Sequence, residues 1–214
     1  MTVFVCPRRL PSQREADVAN RRQNMAAIVA GAVLLTGRNA TAADEPLTIE
    51  VRVANYTDIG SEHLLPAEAQ AAKVFAAIGV RLRWVGERQD GPVPPENTFT
   101  VRVVLIFGAM ENRMIRALRV RDGVLGHAAA AARTAHIFCN RVVSTAAIRA
   151  IPLANVLGRI IAHKLGHLVL PANSHSEFGI MREKLLSRSD RLDYFTEEQG
   201  ARIRQLLEIS QLAR

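Results

Sequence analysis

Cysteine, aromatic residues and membrane-length apolar runs are all scarce in this chain. Only Cys6 and Cys139 occur in 214 residues. Cys6 falls in a basic leader, so the body of the chain holds one cysteine and can form no internal disulfide. Cys139 follows Ile137 and Phe138 in a strand-like segment, where burial as a small hydrophobe is expected. Aromatics make up 5% of the chain against 49% hydrophobic residues overall, so aliphatic side chains must build the core. That content suffices for one domain. The apolar run Met25–Leu35 spans about 11 residues, short of the roughly 20 that cross a bilayer. No internal repeat is present, and low complexity is confined to an alanine run near residue 130.

Basic charge is plentiful but poorly placed for nucleic acid. The net charge is +8. Residues 1–42 carry six arginines against Glu15 and Asp17, which accounts for +4, half of it. The remainder is spread thinly, without a Lys/Arg run, which argues against a nucleic-acid partner. The leader has a different logic. Arg21-Arg22 precede the apolar run, and Ala40-Thr41-Ala42 supplies small residues at a cleavage position. Basic, apolar and A-x-A parts in that order are an export signal. The expected organisation is a signal peptide over 1–42 and a single domain over 43–214. The mature protein would begin at Ala43, lie in the periplasm or outside the cell, and keep no membrane anchor.

Periodicity organises the body. Residues 47–56 alternate apolar and polar and predict a strand. Leu64 to Ile78 carries apolar residues at helical spacing, with Pro66 suited to a first turn and Gly79 to a stop. Residues 80–85 predict a second strand, 86–98 a polar loop, and 99–107 a third strand whose continuous apolar end suits a central position. Residues 109–121 fit a short helix or a loop, and 123–130 an edge strand or a helix. A further strand is expected over 134–143. Pro152 opens a long helix through Leu170, apolar almost all round and therefore buried. Thr196 fits the N-cap of a final helix. Trp84 and Tyr56 are expected in or near the core.

The chemistry concentrates in residues 160–181. His163 and His167 lie four apart on the buried helix, where side chains share a face with Cβ atoms about 5–6 Å apart. His175 follows Pro171, so a returning loop can bring it to the same point. Three neutral imidazoles and one water form a common catalytic zinc shell. His63, His127 and His136 read instead as surface or strand residues. The zinc-peptidase motif His-Glu-x-x-His places a general base after its first histidine. Here that position holds Lys164.

The text Ala162-His-Lys-Leu-Gly-His-Leu-Val-Leu170, Asn173-Ser-His-Ser176 and Gly179-Ile-Met181 resembles the metzincin-like zinc peptidases. It is most similar to exported bacterial proteins with the pattern A-H-E-x-G-H-L-L-L, N-S-H-S, G-I-M. The resemblance implies an α+β, zincin-like fold: a mixed twisted sheet of about four to five strands, a buried active-site helix, a methionine turn and a C-terminal helix. It implies Zn²⁺ as cofactor, His163, His167 and His175 as ligands, Met181 as the turn methionine beneath the metal, and a peptide or protein as substrate.

Two departures are specific. The broad metzincin motif puts its third histidine six residues after the second, with a glycine between; here the gap is eight, and Asn173 must take the turn, which its tolerance of left-handed backbone allows. Lys164 occupies the general-base position. With a reference pKa near 10.4 it is normally protonated and accepts no proton, and loss of a general base costs about 10²–10⁴ in rate. Burial beside a metal can neutralise a lysine, and its long stem can swing away. Glu177 is the nearby loop carboxylate. Three functions follow: a zinc metallopeptidase using metal-activated water, a zinc-binding pseudo-peptidase that binds peptide or protein, and a metal-free exported basic binding protein.

Overall fold

The computed structural model describes residues 46–86, 98–185 and 193–212. The leader over 1–42, its cleavage site and Cys6 lie outside the described residues, as does most of the polar loop.

Five strands form one sheet: β1 (Thr48–Asn55), β2 (Arg81–Gly86), β3 (Phe99–Ile106), β4 (Gly126–Ala129) and β5 (Thr134–Phe138). Their order is β2-β1-β3-β5-β4. The first four in that row are parallel, and β4 pairs antiparallel with β5 at the edge. β3 takes the central place expected of its apolar run. The sheet is mixed and the domain α+β, as the sequence implies.

Alternation along the strands sorts side chains to two faces. Val51, Val53, Val103 and Ile137 enter the main core, while Ala54, Val104, Ile106 and Phe138 form a smaller cluster on the other face. Glu50 also belongs to that second face. It is 1% exposed, and its carboxylate accepts from Arg52 Nε at 2.8 Å and from the Arg83 guanidinium.

Among the described residues, five α-helices complete the fold: α1 (Ser61–Ala76), α2 (Gly108–Ala117), α3 (Cys139–Arg149), α4 (Leu153–Val169) and α5 (Glu197–Leu212). α1 begins three residues before the predicted start, because the Gly60 carbonyl accepts from the amides of His63 and Leu64 and closes the first turn there. Pro66 therefore sits inside the helix, on its exposed side. Gly79 has φ +75, the left-handed conformation that stops α1.

The expected strand over 134–143 is only half correct. It ends at Phe138, and Cys139–Arg149 is helical. The orphan amides at the start of α3 explain the switch. Asn140 N and Arg141 N donate to the Glu111 carboxylate of α2 at 2.8 and 3.3 Å. Glu111 is 1% exposed and supplies the negative charge that a helix N-terminus favours. Cys139 is buried, as expected. Trp84 packs against the core, but Tyr56 is 52% exposed, since β1 has ended one residue earlier.

Candidate metal centre

α4 is the spine of the domain. Its apolar residues recur all round, and twelve of its seventeen positions are buried, so sheet and helices enclose it. Pro171 limits its extent, because the residue before a proline is pushed out of the helical region; Leu170 is extended at ψ 155. Two glycines set its approach to neighbours. A Cβ on Gly158 would stand 2.8 Å from the Ala67 carbonyl oxygen, so α1 crosses α4 at backbone contact. A Cβ on Gly166 would stand 2.5 Å from Met181 Sδ and 3.0 Å from Phe195 Cε1. Met181 is fully buried against the helix between the two histidines.

The structure brings His163, His167 and His175 together. One nitrogen from each lies within 4.8 Å of the others. His167 Nε2 is 3.0 Å from His163 Nε2 and 3.1 Å from His175 Nε2. Tetrahedral zinc with bonds of about 2.0–2.1 Å would hold its nitrogens about 3.3 Å apart. Both of these distances are within a few tenths of an ångström of that geometry.

Protonation strengthens the fit. His163 Nδ1 lies 2.8 Å from the Ile180 carbonyl oxygen, which can only accept. Nδ1 therefore carries the proton, and Nε2 presents a lone pair to the other two rings. A second nitrogen tied to a backbone carbonyl is the usual support of a metal-ligating histidine. His167 Nδ1 faces Ser174 Oγ at 3.4 Å, a longer version of the same arrangement. Burial first, and Lys164 second, lower the pKa of His163 to about 3 and of His167 to about 4. Both are neutral at physiological pH, the form that ligates. Nε2 atoms about 3 Å apart are joined either by a tautomeric N–H of a neutral ring or by a cation, and only a cation takes all three lone pairs at once.

The third histidine arrives by a different route. Asn173 adopts φ +61 in the turn after α4, which supplies the left-handed residue expected of it. His175 itself is exposed. Its flanks are held by Gln199, a residue that sequence reasoning missed. Gln199 Nε2 donates to the Ser174 carbonyl and to Ser176 Oγ, both at 3.1 Å. Gln199 Oε1 accepts from Thr196 N at 3.1 Å, and Thr196 Oγ1 accepts from Gln199 N at 3.2 Å. That reciprocal pair is a capping box at the start of α5. The Thr-x-x-Gln spacing was legible in the sequence; its third and fourth bonds, to the His175 loop, were not.

Lys164 does not swing out to solvent. It is half-buried, with Cε 3.4 Å from where a Cβ on Gly126 would stand, so its stem lies along β4. Burial lowers its pKa to about 8. Among the described residues no carboxylate pairs with it. Glu177 is exposed on the loop. His127 and His136 are directly opposed across β4 and β5, and His63 lies on α1, all outside the triad. Beside the triad, a cleft of about 370 Å³ runs between Gly126 and Ala128 of β4 and Pro171 and Ala172, with Lys164 and His167 also on its walls.

No protein-family model and no curated protein matches the chain. Among solved structures, it is similar to the crystal structure of a zinc-dependent peptidase from Methanocorpusculum labreanum (strain Z), with a TM-score of 0.47 and 12% sequence identity over 72% of this chain and 99% of that one.

Proposed function

We propose that the protein is an exported zinc-binding protein with a metallopeptidase-type site. His163, His167 and His175 hold the ion, an extended peptide lies along β4, and Lys164 leaves hydrolysis weak. The convergence of three imidazole nitrogens, one with its tautomer set by Ile180, carries the reading. Export rests on the order of basic, apolar and small residues before Ala43; no helix among the described residues is long and apolar enough to cross a membrane.

Bound zinc supplies Lewis acidity, polarising a carbonyl and acidifying a water. The chain's own residues do the rest. β4 is an edge strand, and its outer backbone groups suit strand addition by a peptide. His163 keeps its lone pair toward the ion through the bond to Ile180. Lys164, when protonated, accepts no proton from water, and its charge opposes the metal's.

One observation favours a second reading. Burial brings the Lys164 pKa to about 8, so a fraction of the amine is neutral near physiological pH and is able to act as base. Substitution separates the two. We expect about one zinc per chain by elemental analysis, and Lys164→Glu should raise both zinc affinity and peptide hydrolysis, the latter by about 10²-fold or more. Lys164→Gln should raise affinity alone. If the natural protein cleaves peptides well and Lys164→Glu slows it, the lysine is the base. A metal-free protein at neutral pH with zinc supplied refutes both readings. Sequencing the mature N-terminus tests export, with Ala43 expected.

A further inference from the structure

Lys164 changes the sign of the site as well as its proton chemistry. In the pattern this chain resembles, an anion stands after the first histidine; here a cation does. The lysine stem is fixed against β4, Cε 3.4 Å from the Cβ position of Gly126. Lys164 and His167 line the same cleft, and among the described residues no carboxylate lines it. Among the described residues, Lys164 is the one lysine or arginine on those walls. An ammonium beside a dication is unfavourable until an anion lies between them. A carboxylate suits that place: were an ion held by the three histidines, a carboxylate would offset the repulsion between it and the Lys164 ammonium, and a charge-assisted bond to that ammonium is of the strong kind.

We propose that the cleft is a carboxylate-binding site, selecting peptides that bring either a free C-terminus or an acidic side chain to Lys164. This rests on the zinc reading above. The edge of β4 takes the peptide backbone, and the small walls at Gly126, Ala128 and Ala172 leave room for it. A single residue would then govern two properties, the rate of hydrolysis and the retention of anionic peptides. Lys164→Glu should exchange one for the other.

Isothermal titration calorimetry on the zinc-loaded protein tests this with three peptides of one apolar sequence. One has a free C-terminus, one is its amide, and one is the amide with a single internal Glu. At least one carboxylate peptide should bind about tenfold or more tightly than the plain amide. Whichever of the two it is identifies the source of the carboxylate. Lys164→Gln should remove the preference while zinc content stays at one per chain, and added salt should shrink it. Equal affinities for all three peptides with zinc bound overturn the proposal, as does a preference that survives Lys164→Gln. A protein without zinc that still selects carboxylates through Lys164 overturns the metal reading and keeps this one. A metal-free protein with no selectivity overturns both.

Discussion

His163 lies 5% exposed on a helix enclosed by the core, whereas His175 lies exposed on a turn between Pro171 and Met181. The first is held by the packing of α4 and by the Ile180 carbonyl. The second is held through its neighbours, by one amide side chain on α5 and by the Met181 carbonyl, which accepts from Ser176 N. Both reach the same point, but the costs of disturbing them differ. Packing spreads the support of His163 over many contacts, so the ring stays in place whether or not an ion is bound. The support of His175 includes two hydrogen bonds from Gln199 at 3.1 Å, which water competes for, and one from Ser176 N to the Met181 carbonyl at 3.2 Å.

The largest effect should come from the ligands themselves. His163→Ala and His175→Ala should each lower zinc affinity by more than about 100-fold, beyond what outer partners contribute. Their stabilities in the chelated protein should diverge. His163→Ala opens a cavity and leaves the Ile180 carbonyl without its donor, costing about 1–3 kcal/mol or more. His175→Ala should stay within about 0.5 kcal/mol, as at other exposed positions. Urea unfolding measures both, and equal losses would erase the contrast.

Gln199→Ala should act next. With the Ser174 and Ser176 bonds gone, zinc should bind about 10–100-fold more weakly. In the His175→Ala background the same change should add nothing to the loss of affinity, because its effect passes through that ring. A full additional loss in the double variant would place Gln199 outside the support of the ligand.

The smallest effect is the pH response of the metal-free protein. His163 and His167 have folded pKa values lowered to about 3 and about 4, chiefly by burial. The unfolded chain therefore binds protons first as pH falls below about 6.5, and stability is lost in that range. Glu68 opposes this. Burial raises its pKa to about 7, so the folded state holds the extra proton between 4.5 and 7 and its share of stability is lost as pH rises through that window. Glu68→Gln should steepen the acid loss seen in urea midpoints over pH 4.5 to 7. An unchanged slope would remove Glu68 from the account.

Local pattern carried much of this structure. The alternation of β1, the apolar end of β3, the all-round apolar α4 and the Thr196 cap were legible because each depends on residues within a few positions. Asn173 was legible for the same reason: one residue in the turn had to accept positive φ. Most of what failed depended on distant partners. Asn140 to Val143 read as strand because β-branched residues favour it, yet Glu111, about thirty positions earlier, caps them as a helix. α1 began early at a glycine carbonyl rather than at the proline. The reach of Gln199 to the His175 loop spans 25 positions to Ser174, and no spacing rule predicts it.

Cys139 bears on how the domain can be watched. Its thiol is fully buried beside Glu111, and burial, then that carboxylate, push its pKa up to about 12. Thiolate is the reactive form, so the folded domain should be silent to alkylating reagents and to disulfide exchange at neutral pH. Opening the end of the sheet where β5 hands over to α3 would expose it. Cys139 is thus a built-in reporter: its labelling rate measures how often that junction opens, and whether added zinc keeps it shut.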